Sequence, residues 1–557
     1  MAWLLEFVQR QSVPLAFSLL VLIPFLTHYI TTTLFYRAHS SKGSDKKPPT
    51  ISYWLPVFCH GLGLLSRPSA YFGLLIKKYG DYAPFVVKVG RTSYLVIRDP
   101  KHVQKVFRES SGPATRSDLV EFYSKVLDAP KEAVDCYKSV GAGAEQNGKL
   151  HHARVAVPEK YFTGAALKSL TDTYISIFRR NMSNKMFQVD SWTQIEDFWS
   201  FFEIDITRAT TETLFGSALL KQYPKLARDL WDFNSAIEEF LPGLPQFMVS
   251  SSVVPRDRLL NALKKWLQEK HGGTDFAKLD DQDPMWDEGK GSKFIQERDH
   301  VFANLPSFNY QARAVESLGV LQSSVSAIMP STFWSIVETL RNPALAKFLA
   351  AEMDQYHDTK KDTYDIAAIT ELPNLQSLHT EIKRLRTATR LIHLNQDTCL
   401  QLDEIWTAPT GLSIINFSHD IGLNTALWTK ASPRTVSRPL EEFWPDRFII
   451  PDKSASTKRY RKGRDSVTTG AFSLDGVELL HDALGFANYS ESERTFATAI
   501  QTATLAILLT EFEVELCDSE ATEELLPPVR EMAFGTVKPM DKIAIRIRKR
   551  VPGEKIR

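Results

Sequence analysis

The chain has 557 residues, 24% of them charged, with 67 Lys and Arg against 66 Asp and Glu for a formal net charge of +1. That balance excludes a whole-chain field drawing in nucleic acid or another polyanion, and 43% hydrophobic residues exclude a disordered chain. Four scattered cysteines, Cys59, Cys136, Cys399 and Cys517, form no C-x-x-C pair; this argues against a disulfide scaffold or structural zinc and fits a thiol-reducing compartment.

Residues 13–30 are apolar apart from Ser18, Thr27 and His28, and apolar character resumes at Leu34-Phe35-Tyr36. A helix needs about 20 such residues to cross a bilayer. Residues 1–36 are therefore predicted to be an N-terminal transmembrane helix meeting lipid through residues 13–36, although Pro14 and Pro24 weaken it. Arg10 precedes the stretch, while Arg37, Lys42, Lys46 and Lys47 follow it. The cationic excess on the C-terminal side places the main domain in the cytoplasm. A cleaved signal peptide is the competing reading, but no small-residue cleavage site follows the apolar core.

Residues 37–50 read as a polar linker ending in Pro48-Pro49, which stiffens the exit and stops a helix. Residues 51–557 show no second linker, repeat or low-complexity block. Phe85–Val89 and Tyr94–Ile97 flank a turn containing Gly90, a hairpin signal. Helical periodicity covers roughly 165–183, 192–216, 226–240, 310–340, 343–356, 375–388 and 491–510. Residues 275–292 read as a charged surface loop, and strand-like pieces return at 397–402, 412–416 and 540–549. The expected fold class is a mostly α (α+β) body.

Several runs carry more than periodicity. Lys149-Leu150-His151-His152-Ala153-Arg154 is basic, but its histidines lack metal-site spacing. Ser326-Ala327-Ile328-Met329-Pro330-Ser331-Thr332-Phe333-Trp334-Ser335 puts a proline inside a helix, predicting a kink and a freed carbonyl. Glu381-Ile382-Lys383-Arg384 places a carboxylate and a guanidinium on one helical face, and Phe443-Trp444-Pro445-Asp446-Arg447-Phe448 follows. Lys458-Arg459-Tyr460-Arg461-Lys462-Gly463-Arg464 is read first as a solvated insertion, with anionic lipid or a reductase as the alternative. Leu484-Gly485-Phe486-Ala487-Asn488-Tyr489-Ser490-Glu491-Ser492-Glu493-Arg494-Thr495-Phe496-Ala497 opens the last long helix. No phosphate-cradling GxxxxGK[ST], no GxGxxG after a strand and no GxSxG occurs.

Together these runs resemble the cytochrome P450 family, in the branch that includes sterol 7α-hydroxylases and prostacyclin synthase. The family's haem loop is similar to Phe-Gly-x-Gly-x-x-x-Cys-x-Gly-Arg-x-x-Ala. Gly485, Arg494 and Ala497 fall in step with it, and Glu491 stands where the haem-ligating cysteine belongs. By the same resemblance Glu381, Arg384 and Arg447 form the family's structural Glu-Arg-Arg network, Arg154 lies near its propionate-binding helix, and the body sits at the endoplasmic reticulum membrane. Ala327 and Ile328 occupy places where relatives carry Asn and Thr, and neither relays a proton. Cys399 and Cys517 lack a Gly-rich loop and a following helix, and are expected to be buried small hydrophobes.

A thiolate pushes electron density into haem iron to split O–O, and a carboxylate is a harder donor. The resemblance thus implies a P450-like fold with a degenerate haem site, no expected cofactor or metal, and a large apolar pocket beneath the kinked helix. Such a pocket suits a hydrophobic small-molecule substrate and redox-independent catalysis by a cyclase, isomerase or pericyclase, with Ser323, Ser326, Thr332 and His393 as its polar candidates. Two other readings stay open. One is a haem-dependent monooxygenase with altered ligation, served by a reductase; the other is a catalytically inactive pathway scaffold.

Overall fold

The computed structural model describes residues 2–40, 43, 45–64, 68–79, 83–90, 92–109, 120, 122–138, 144–237, 250–273, 283–386, 390–393, 399–451, 467–478, 480, 490–527 and 537–551. For residues 2–17, 19, 68, 69, 104, 107–109, 144–147, 250, 327 and 390–393 the description is of backbone only.

The organising element is the helix Tyr310–Leu340, capped where Asn309 accepts from the backbone N–H groups of Gln311 and Ala312. Its bounds are those expected from periodicity. It packs against Ser250–Lys270, Phe198–Phe215, Pro373–Arg386 and Glu491–Thr510. Apolar residues on nearly every side explain why it runs through the core: Leu318, Leu321, Val325, Met329, Phe333, Trp334 and Val337 are all buried. Each such side chain contributes about 1.5–3 kcal/mol of transfer free energy. Phe333 is clasped by Phe198 and Trp199, ring centroids 5.5 and 4.7 Å away, and Trp334 donates to the carbonyl of Val537 at 2.7 Å.

The larger sheet has four strands in the order Phe85–Val89, Thr92–Ile97, Ser413–Asn416 and Arg390–His393. The first two form the expected hairpin, in register from Phe85↔Val96 to Val89↔Thr92. Gly90 takes φ +55 in its turn, a conformation that a residue without Cβ adopts at no steric cost. A second sheet joins Phe512–Leu516, Ile545–Lys549 and Thr193–Ile195. That pairing corrects the helix expected over 192–216: Thr193–Ile195 is held as an edge strand, and the helix starts at Phe198 behind the Asp197 cap. The surface loop expected over 275–292 also contains the short pair Trp286–Asp287 and Gly291–Ser292. Cys399 and Cys517 are exposed, so the expectation that both are buried is wrong; the strand Phe512–Leu516 ends one residue before Cys517.

The N-terminal helix runs from Ala2 to Ser40. Among the described residues no helix is long and apolar enough to cross a membrane, so the expected span over 13–36 is not found there. The helix is fixed to the body instead. Thr31 Oγ1 lies 3.2 Å from the carbonyl of Tyr53, the His28 ring stacks on Trp54 at 4.1 Å, and buried Phe35 meets Tyr79. Leu20, Leu22 and Leu26 are exposed. An apolar groove of about 760 Å³ lies between this helix and Trp54.

Candidate functional site

Glu381 and Arg384 lie one turn apart on the helix Pro373–Arg386, and Arg447 follows the turn at Trp444. All three are fully buried. Arg384 grips both carboxylate oxygens of Glu381 at 2.8 Å through Nε and Nη2, and its Nη1 donates to the carbonyl of Gly422 at 2.9 Å. Arg447 Nε reaches Glu381 Oε1 at 3.0 Å, while its two terminal nitrogens donate to the carbonyls of Thr435, Arg438, Pro439 and Glu442. Burial pushes the Glu381 carboxyl up, but the two guanidiniums outweigh it and hold the group below its ordinary range. No guanidinium nitrogen of the pair lacks an acceptor, and a charge this deep persists only when so satisfied.

The helix Glu491–Thr510 starts as its sequence predicts, but its first turn is built differently from a thiolate cradle. Ser490 is the N-cap: its Oγ accepts from the Glu493 N–H at 3.2 Å, and the Glu493 carboxylate accepts from the Ser490 N–H at 2.8 Å. This reciprocal capping box satisfies orphan donors that a free helix end would offer to an anion. The S-x-x-E signal was present in the sequence and not used. Glu491, expected from the resemblance at the cysteine's place, is exposed, as is Arg494. The loop ahead of it, residues 481–489, lies outside the described residues, with Phe486 and Tyr489. The donor chemistry at this helix start does not fit a thiolate-ligated haem. Among the described residues no group of three His, Cys, Asp or Glu side chains is placed to hold a metal ion.

On the central helix the candidate hydroxyls turn back onto their own backbone. Thr332 Oγ1 donates to the Ile328 carbonyl at 2.6 Å and is fully buried. Ser323 bonds to the Val320 carbonyl and Ser326 to that of Ser323. Short helical hydroxyls commonly do this. Just past Pro330 the central helix is tied across to the last long helix: Gln501 Nε2 donates to the Ser331 carbonyl at 3.2 Å and to Ser335 Oγ at 2.7 Å. His393 ends its strand, paired in register with Ser413.

Arg154 sits in a buried polar cluster that the sequence did not announce. Its guanidinium packs against the rings of Tyr123 and Tyr137, 4.4 and 4.7 Å from their centroids. Nη2 reaches both oxygens of Glu316 at 2.8 and 3.0 Å and the Tyr137 hydroxyl at 3.1 Å. Glu316, on the central helix, also takes Arg298 Nη2 at 2.7 Å, the Tyr137 hydroxyl, and Tyr123 at 3.4 Å. Burial raises the Glu316 carboxyl, and the two guanidiniums more than reverse it. Gly319 makes room for this arrangement, since a Cβ there would lie 2.4 Å from the Tyr123 hydroxyl. Tyr123 and Tyr137 carry no sequence pattern that marks them; only folding brings them to Arg154.

Two further groups were missed on the face of the helix Pro373–Arg386 away from Glu381. His379 is buried, its Nε2 has no partner, and burial with the nearby Lys383 charge pulls its pKa down to about 3. Burial, then repulsion from Arg494, lowers Lys383 to about 8.

No protein-family model matches the chain. Curated relatives do. It is 25% identical over 565 residues to the cytochrome P450 monooxygenase efuG of Hormonema carpetanum, covering 96% of each chain. It is 25% identical over 522 residues to the cytochrome P450 monooxygenase fsoE of Humicola fuscoatra, covering 91% of this chain and 88% of that one. With cytochrome P450 7A1 of Oryctolagus cuniculus it shares 22% identity over 403 residues, 67% of this chain and 73% of the relative. The resemblance read from the motifs therefore extends over nearly the whole chain.

Proposed function

We propose that this P450-like chain has lost haem-thiolate chemistry and acts as a redox-independent cyclase or isomerase. A pericyclase catalysing an intramolecular cycloaddition is one such enzyme, and its substrate would be a hydrophobic terpenoid or polyketide intermediate of secondary metabolism. The reading is carried by Glu491, which the motif resemblance puts at the thiolate position and which is exposed on a helix whose N-terminus is closed by Ser490 and Glu493. A pocket beneath the central helix that holds a flexible substrate in its reactive fold recovers activation entropy, up to about 7–11 kcal/mol when preorganisation is ideal. Ser326, Thr332 and His393 are the polar groups proposed to stabilise developing charge there. In this reading residues 51–557 form the catalytic domain, on the cytoplasmic side of the endoplasmic reticulum membrane. The N-terminal helix holds it to lipid through the exposed Leu20–Ile30 face, with residues 37–50 as the connection.

Absorption spectra of the full-length protein from haem-replete cells, before and after dithionite and carbon monoxide, test the reading. It expects no Soret band, together with substrate turnover in the absence of NADPH. A second reading, a haem-dependent oxidoreductase with altered ligation and a reductase partner, is favoured by the similarity to cytochrome P450 monooxygenases; a stoichiometric Soret band would establish it. Absence of both haem and turnover would leave the scaffold. Flotation with phospholipid vesicles checks the membrane contact separately.

A further inference from the structure

The groove between the N-terminal helix and Trp54 is apolar along its length and ends at a cation. It follows the helix from Phe25 to Ser40, and 15 residues of α-helix rise about 22 Å. Its walls are the rings of Phe25, Tyr29 and Tyr36 on the helix and Trp54 on the body, all four exposed. The Trp54 ring is fixed: His28 stacks on it at 4.1 Å, and Phe25 meets it edge-on at 5.4 Å. One residue earlier, Tyr53 is tied to Thr31 through both its N–H and its carbonyl. The seam between helix and body is therefore a built surface with one wall from each. Arg37 lines the last turn beside Ser40, and among the described residues it makes no ion pair or hydrogen bond. Exposed apolar surface that is contiguous and bounded by polar groups marks an interaction site. The ligand that matches this one is long, apolar and anionic at one end. Arg37 lies on the C-terminal side of the apolar stretch, where the phosphates of the cytoplasmic leaflet stand in the proposed orientation.

We infer that this groove binds one phospholipid molecule, with an acyl chain lying along Phe25, Tyr29, Tyr36 and Trp54 and the phosphate at Arg37. The inference rests on the lipid contact proposed for the N-terminal helix and goes beyond it: this lipid is a discrete ligand, distinct from the exchangeable lipid around the helix. Its chain touches both walls, so its retention depends on the seam and not on the helix alone.

The full-length protein in detergent micelles is incubated with dioleoylphosphatidic acid or with dioleoylglycerol, which has the same chains and no phosphate, and retained lipid is counted by native mass spectrometry. One molecule per chain is expected, with the phosphatidic acid held about 5-fold better, the factor that one basic residue contributes at a lipid surface. Arg37→Gln abolishes that preference while dioleoylglycerol is held as before, and Trp54→Ala loses both lipids. Should Trp54→Ala fail to fold, Tyr29→Glu puts a carboxylate on the exposed wall and is expected to lose both as well. No retained lipid, a phosphate preference that survives Arg37→Gln, or retention that survives the wall substitutions overturns the inference; so does cholesterol held in preference to both diacyl lipids. Vesicle flotation keeps the two readings apart. Flotation without a retained lipid overturns the discrete site alone, and failure of the unaltered protein to float overturns the lipid contact and the site with it.

Discussion

Two buried clusters in this molecule have the same composition, one glutamate facing two arginines, and opposite consequences. At Glu381 the second guanidinium is absorbed by the backbone: Arg447 donates to four carbonyls between Thr435 and Glu442 and Arg384 to that of Gly422. At Glu316 the phenols of Tyr123 and Tyr137 crowd the carboxylate, yet Arg154 retains a nitrogen without a partner. A chain segment closed around its donors makes a structural lock. A cluster built from side chains of separate helices leaves one buried donor without an acceptor. Charge count therefore says little; the distribution of acceptors decides how completely each cluster is satisfied.

The sharpest way to break the comparison is Glu381→Gln. It strands two fully buried guanidiniums, and a loss of about 3–5 kcal/mol is expected, read as failure to fold or as a large drop in the denaturant midpoint. Glu316→Gln should cost less, roughly 2–3 kcal/mol, because Arg154 keeps an exposed edge; equal losses at the two sites would erase the distinction drawn between them.

The far side of the Glu381 helix sharpens it further. His379 is neutral in the fold, with a pKa of about 3, whereas the unfolded chain takes up a proton near the ordinary imidazole value. The unfolded state binds the extra proton between these two values, so stability is lost as pH falls through that window, by about 2 kcal/mol at pH 5 relative to neutrality. Equilibrium unfolding at several pH values checks this, and His379→Phe should flatten the slope. The smallest effect belongs to the self-capped helix start. Ser490→Ala removes the side-chain acceptor of the capping box and should lower stability by about 1 kcal/mol, seen as a shift in thermal midpoint; no shift would mean the turn is held from elsewhere.

The sequence made one cluster legible and hid the other for a physical reason. Glu381 and Arg384 are three residues apart on a helix, and Arg447 sits in an aromatic-proline run, so spacing and local pattern announce them. Arg154 was visible as a basic residue, but Tyr123, Tyr137, Arg298 and Glu316 lie on four other segments with no shared spacing. Ser490 and Glu493 were readable as a capping pair, since both partners fall within one turn. Residues 481–489 and the side chain of His393 lie outside the described residues.

By itself the sequence determined the elements whose causes are local. These are the bounds of the Tyr310–Leu340 and Glu491–Thr510 helices, the hairpin around Gly90, and the likeness to cytochrome P450. Helical periodicity and a glycine turn act within a few residues. Only the tertiary structure decided that Thr193–Ile195 is a strand, that Cys399 and Cys517 are exposed, and that the N-terminal helix rests on Tyr53 and Trp54. It also decided that Arg154 meets Glu316 with a donor to spare. Those outcomes depend on which distant segments arrive to supply a strand partner, a covering side chain or an acceptor, and no local pattern specifies that arrival.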